Sequence, residues 1–219
     1  MRKLVLFALL CVAVAMVGAT ASAATVVPRV DGITVDGDLS DWVGVGGIFI
    51  DSTMATSGSP QGCADLSALA FVGYDDEFFY LAVRVTDDVL FFGRNGGDIW
   101  QTDCVELWIN DAQIGFAIDA NGELIVTVWS GGLDASAIHL AIVEEVNGYT
   151  VEAAIPAAEV GLVLDLTAGT EFMLAIGVDD SDIETASGSG VPSDRSQIYY
   201  PASWAWRQTD TYAPAILGE

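Results

Sequence analysis

Between residues 66 and 179 the chain runs in short segments that alternate apolar and polar residues, and this period of two fixes the fold class. The segments are 66–73, 77–86, 103–110, 113–119, 123–130, 137–146, 149–156 and 171–179, with a further strand expected at 44–51. Asp119-Ala120-Asn121-Gly122 and Asn147-Gly148 between them are hairpin signals. A helical period is almost absent, apart from one short turn expected at 157–161. The pattern predicts an all-β antiparallel β-sandwich, a two-sheet fold of immunoglobulin or jelly-roll type, formed by one domain over residues 24–219. Hydrophobic residues make up 52% of the 219, enough for a core of that size and too many for a disordered chain.

Ile99-Trp100-Gln101-Thr102-Asp103-Cys104-Val105-Glu106-Leu107-Trp108-Ile109-Asn110 has two different faces when read as a strand. Val105, Leu107 and Ile109 point one way, toward a core; Trp100, Cys104, Glu106 and Trp108 point the other, pairing aromatic rings with a carboxylate. Sugars ask for this combination, because their C–H faces stack on indole while their hydroxyls bond to carboxylates, amides and guanidinium groups. Trp42, Trp108 and Trp129 read as core residues. Trp100, Trp204 and Trp206 stand among Gly, Asp, Gln, Ser and Arg and read as binding residues. Glu106 is the expected hydroxyl acceptor. Arg84, on the polar parity opposite Phe79, Leu81, Val83 and Val85, is expected either to join Glu106 in binding or to form a cross-strand ion pair with it. A long Asp/Gly/Ser segment, 179–193, leads into the C-terminal aromatic stretch.

Arg2 and Lys3, an apolar run over 4–17 and Ala21-Ser22-Ala23 form a secretory signal, residues 1–23, too short in its apolar part for a membrane span. Its removal leaves five basic residues, none of them lysine, against 31 acidic ones, a formal charge of −26. A secreted chain so acidic repels nucleic acid and anionic lipid and tolerates cations and neutral ligands. Cys63 and Cys104 then remain, open to a disulfide in an oxidising compartment or to two buried thiols.

Acidic residues cluster at Asp36, Asp38 and Asp41, at Asp75 and Asp76, at Asp87 and Asp88, and at Asp179, Asp180 and Asp182. Closely spaced Asp in glycine-containing loops suits structural calcium, and Asp36, Asp38 and Asp41 are the candidate ligands. Catalysis has little support: there is no Gly-x-Ser-x-Gly elbow, no phosphate or nucleotide loop and no His/Cys metal cluster, and His139 is the sole histidine.

Four stretches, in order, carry a family resemblance: Val30-Asp31-Gly32 with Val35-Asp36-Gly37-Asp38-Leu39-Ser40-Asp41-Trp42, Tyr74-Asp75-Asp76-Glu77-Phe78-Phe79-Tyr80-Leu81-Ala82-Val83-Arg84-Val85-Thr86-Asp87-Asp88, Trp100-Gln101-Thr102-Asp103-Cys104-Val105-Glu106-Leu107, and Tyr149-Thr150-Val151-Glu152-Ala153-Ala154-Ile155-Pro156. With them the chain resembles the family 9 carbohydrate-binding modules and the broader DOMON-like β-sandwiches. The resemblance implies a sugar held between two tryptophans, structural calcium and no catalysis. Trp100 matches the first clamp residue and Glu106 the hydroxyl-binding carboxylate; Trp204 or Trp206 supplies the second clamp, with a slight preference for Trp204. The usual hosts of such modules are glycosidases, so a role accessory to polysaccharide degradation is a related reading. Some relatives hold haem through Met with His or Lys, which the absence of lysine from residues 24–219 and His139 as the sole histidine do not favour here. A calcium-stabilised surface-assembly domain and a glycoside hydrolase are the alternatives.

Overall fold

The structure, a computed structural model, describes residues 23–157, 164–182 and 194–219. The expected leader, apart from Ala23, and the expected turn at 157–161, apart from Ala157, lie outside the described residues. The strands are β1 (Thr25–Val27), β2 (Ile48–Ile50), β3 (Ala55–Ser57), β4 (Leu66–Tyr74), β5 (Phe78–Asp87), β6 (Cys104–Ile109), β7 (Ala112–Ile118), β8 (Leu124–Ser130), β9 (His139–Glu145), β10 (Gly148–Pro156), β11 (Glu171–Asp180), β12 (Ser196–Tyr200) and β13 (Ala213–Leu217). Each of the alternating segments between 66 and 179 is a strand, and the one expected at 44–51 shrinks to β2. Strands β1, β3, β12 and β13 carry no alternation long enough to read; three to five residues hold at most two turns of the period.

Two sheets face each other. The smaller runs β2-β4-β5-β10-β9; the larger runs β1-β13-β11-β6-β7-β8, with β12 paired to β11 and β3 to β12. Pairing is antiparallel except between β1 and β13, which makes the larger sheet mixed and corrects the purely antiparallel expectation. Val105, Leu107, Ile109, Ile114, Phe116, Leu174, Ile176 and Val178 of the larger sheet meet Leu66, Phe79, Leu81, Val83, Tyr149, Val151 and Ile155 of the smaller in one continuous core. The inward set predicted for β6 is therefore correct. Among the described residues no helix is long and apolar enough to cross a membrane.

Residues 30–45 fold over the outer face of the smaller sheet. Trp42, 2% exposed, packs against Tyr80, Ala82 and Ala154, and lies 5.9 Å from Phe71 ring to ring. Glu152, buried in β10, holds this cover: its carboxylate accepts from Trp42 Nε1 at 2.7 Å, Gly37 N at 2.7 Å and Asp36 N at 3.1 Å. The Asp-Gly-Asp turn is thus built to aim backbone N–H groups at a buried carboxylate, with Gly37 at φ +87.

The Cys63–Cys104 disulfide is not formed. Cys104 points from β6 into a small outer cluster with Ile99 and Ala117, whereas Cys63 lies exposed in the loop before β4, and both thiols are free. The expectation of two buried thiols fails as well, since only Cys104 is buried.

Candidate functional site

The outer face of the larger sheet is hollowed around Glu106. Its cross-strand neighbours are Gly177 on β11 and Gly115 on β7, so no side chain rises on either side of it. Both glycines are required by what lies over them. A Cβ on Gly177 would fall 1.9 Å from the Tyr199 ring, and one on Gly115 would fall 2.4 Å from the Trp129 ring. Tyr199 and Trp129 pack over these bare backbones and wall a cavity of about 640 Å³, which Trp100, Trp108, Trp204, Trp206, Gln113, Gln197, Thr56 and Arg207 complete. That volume suits one or two sugar rings.

Trp100 sits on the 3-10 turn Gly96–Gln101, outside the strand proper. Strand β8 pins this turn: Thr127 Oγ1 donates to Gly96 O at 2.8 Å and Trp129 Nε1 to Gly97 O at 2.9 Å. The Trp100 ring carries the Arg195 guanidinium on one face, 4.7 Å from its centre. Trp206, 58% exposed, carries Arg207 in the same way at 4.4 Å. Trp204 differs, because Tyr199 is stacked on it at 3.8 Å and 10°, and Trp108 packs against it at 5.1 Å. One face of Trp204 is covered by Tyr199, as one face of Trp206 is by Arg207; both rings line the cavity, and Trp206 is the more exposed of the two.

Glu106 is 2% exposed and accepts from Gln113 Nε2 at 2.9 Å. Its other neighbour is Asp179, fully buried on β11, which receives the Gln197 amide and the Arg195 guanidinium, the latter at 3.5 Å. Burial raises both carboxyls, Asp179 well above the ordinary range with the facing Glu106 as the next cause. Two carboxyls in hydrogen-bond contact share a proton, and this fixes the Glu106 head at the pocket floor. The same contact argues against hydrolysis by this pair, since glycosidase carboxyls stand about 5 Å apart or more to admit the bond being cut.

Arg84 is not in this site. Strand β5 belongs to the smaller sheet, so its polar parity faces the opposite side of the sandwich, where Arg84 Nε lies 3.5 Å from Glu145. Parity gave the right face of the strand and not the sheet. Trp108 is core, as read, whereas Trp129 is a pocket wall rather than core. Gln113, Gln197, Tyr199 and Arg207 went unread. Gln113 shares the outward parity of the Glu106 face on the adjacent strand, and Gly115 and Gly177 inside strands were the available signal for close approach.

The carboxylates that converge are not Asp36, Asp38 and Asp41. Those serve local turns: Asp36 accepts from Asp38 N, Asp38 from Ser40 N and Asp41 from Thr34 N. Convergence occurs instead at one end of the sandwich, where carboxylate oxygens of Asp87, Asp180 and Asp182 lie within 4.8 Å of one another, as do those of Asp65, Asp88 and Asp182. Among the described residues, Asp87 Oδ2 and Asp180 Oδ1 are buried without a hydrogen-bond partner. Burial, then neighbouring carboxylates, push Asp87 to about 7 and Asp180 to about 8. Orphaned hard oxygens crowded at this spacing fit calcium, and the donors come from both sheets.

An aromatic, amide-lined pocket on a two-sheet β-sandwich defines the class. The chain belongs to the carbohydrate family 9 binding domain-like family, whose model matches residues 35–217. Two solved structures are similar: a family 9 carbohydrate-binding module from Caldicellulosiruptor kristjanssonii in complex with cellotriose, with 19% identity, TM-score 0.64, and 90% of this chain and 94% of that one covered; and one from the same organism with glucose, with 18% identity, TM-score 0.63, and 89% and 97% covered. No curated protein matches.

Proposed function

We propose that the pocket over Glu106 binds carbohydrate without cleaving it, with Trp100 and Trp206 stacking on sugar faces and Glu106, Gln113 and Gln197 bonding to hydroxyls. The observation that carries this reading is the glycine-flanked Glu106, a buried carboxylate left at the floor of an aromatic cavity. A sugar would add hydroxyl donors to the carboxylate that Gln113 already holds and C–H faces to the indoles. The similar modules hold cellotriose and glucose, which favours a glucose-type ring. The leader read at 1–23 supports a secreted protein, acting beside glycosidases in polysaccharide degradation. Calorimetric titration with cellotriose tests it: the wild type gives saturable heat, and Trp100→Ala lowers affinity by about tenfold or more, roughly one lost stacking contact. Equal affinity of the two proteins overturns the clamp.

A structural cation is part of this reading. Asp87, Asp180 and Asp182, with Asp65 and Asp88 beside them, would hold calcium at the sandwich end, neutralise the crowded carboxylates and tie β5 to β11. Its part is stability rather than sugar contact.

A further inference from the structure

Residues 24–219 contain five arginines and no lysine against 31 carboxylates, so a cation there is expected to be neutralised by a neighbour. Arg29 meets Asp76 at 2.8 Å, Arg84 meets Glu145 at 3.5 Å, and Arg195 meets Asp179 at 3.5 Å. Arg207 differs from these three: among the described residues its guanidinium has no carboxylate partner, and it lies over Trp206 at the wall of the cavity. Its backbone stands at φ +57, a left-handed conformation that a non-glycine residue adopts only when its surroundings hold it there. Gln208 N donates to Ala205 O at 3.1 Å and Thr211 N to Gln208 O at 2.9 Å, closing the turn that fixes Arg207 beside the pocket.

The two guanidinium groups at the pocket therefore differ in what they have left to offer. Arg195 turns inward, and its charge is taken by Asp179 beneath Glu106. Arg207 is exposed, and among the described residues its fork of donors has no hydrogen-bond partner, beside the ring proposed to stack on the ligand. A planar guanidinium in this position matches a carboxylate, which it can take through two parallel hydrogen bonds. We propose that Arg207 is a specificity-determining residue that directs the pocket to an acidic sugar, a hexuronate unit whose carboxylate it receives; this rests on the carbohydrate-binding reading above. The formal charge of −26 on residues 24–219 narrows the ligand further, because so negative a surface repels a polyanion. The ligand carries its charge on a single uronate within an otherwise neutral glycan.

The test is titration of methyl glucuronoside and methyl glucoside into wild type, Arg207→Gln and Arg207→Lys, at low and high salt, reading the ratio of the two affinities in each protein. The wild type prefers the glucuronoside by about tenfold at low salt, the preference shrinks as salt screens the pair, Arg207→Gln removes it and Arg207→Lys retains part of it. Glucoside binding with no preference for the glucuronoside, or a preference that survives in Arg207→Gln, overturns the role of Arg207 and leaves the carbohydrate reading standing. Failure of the wild type to bind either sugar, or cellotriose, overturns both.

Discussion

Glu152 and Glu106 are the same residue in nearly the same setting: each is buried at the centre of the outer face of its sheet, with tryptophan near it. Their fates diverge in what covers them. The chain closes over Glu152 with residues 30–45, and three donors, one of them the Trp42 indole, fill its carboxylate. Over Glu106, among the described residues, the Gly96–Gln101 turn and residues 204–207 wall a cavity rather than fill it. Gly115 and Gly177 keep the strands on both sides bare, and Trp100 and Trp206 stand at the rim with one face each covered by arginine. A buried carboxylate capped by its own chain serves the fold; the one that faces the aromatic cavity is the one proposed to bind.

The largest effect that would break this comparison is on the structural side. Glu152→Ala leaves three donors without an acceptor and is expected to cost about 3 kcal/mol or more in urea unfolding, with sugar affinity unchanged in the folded protein. A comparable loss of sugar affinity would mean that the two faces are not separate. Next, Gly177→Ala forces Tyr199 off β11, because its new Cβ would lie 1.9 Å from the ring. It is expected to destabilise by roughly 1–3 kcal/mol and to lower cellotriose affinity, while Gly32→Ala, at a positive φ but with nothing within 4 Å, leaves affinity as it was.

The third effect is smaller and depends on pH. Asp87 and Asp180 titrate in the folded chain at about 7 and about 8, above their unfolded values of about 4. The folded state then holds more protons, so without metal their stabilising contribution is complete below about pH 4 and is lost as the pH rises through 7 to 8. Calcium, which binds the ionised form, is expected to raise the melting temperature more at about pH 8 than at about pH 5. An equal rise at both, or none, would remove the cation from this end of the sandwich.

Local order was readable in the sequence and convergence was not. Alternation lies within one strand, so β4 to β11 and the inward set Val105, Leu107 and Ile109 could be read directly. Which sheet a strand joins depends on partners far along the chain, and that is why Arg84 had the right parity and the wrong side. The same limit hid the acidic cluster: Asp87 and Asp88 were visible as a pair and Asp180 and Asp182 as another, but only the fold brings them together with Asp65. Asp36-Gly37-Asp38 had the composition of a calcium loop and serves as a hydrogen-bonding cap, since its N–H groups are aimed at Glu152. Trp100 and Glu106 could be paired from the sequence because one short segment carries both, and the fold places both at the cavity; Trp129 could not, because its place is set by the absence of a side chain at Gly115.

The six tryptophans divide between the two faces, and their indole N–H resonances provide the most direct test. In a nitrogen-15 NMR titration with cellotriose, the Trp100 and Trp206 indole signals are expected to shift together and saturably, while Trp42, bonded to Glu152 on the opposite face, stays fixed. Shifts confined to Trp42, or no saturable shift at Trp100 and Trp206, would contradict the assignment of the binding face.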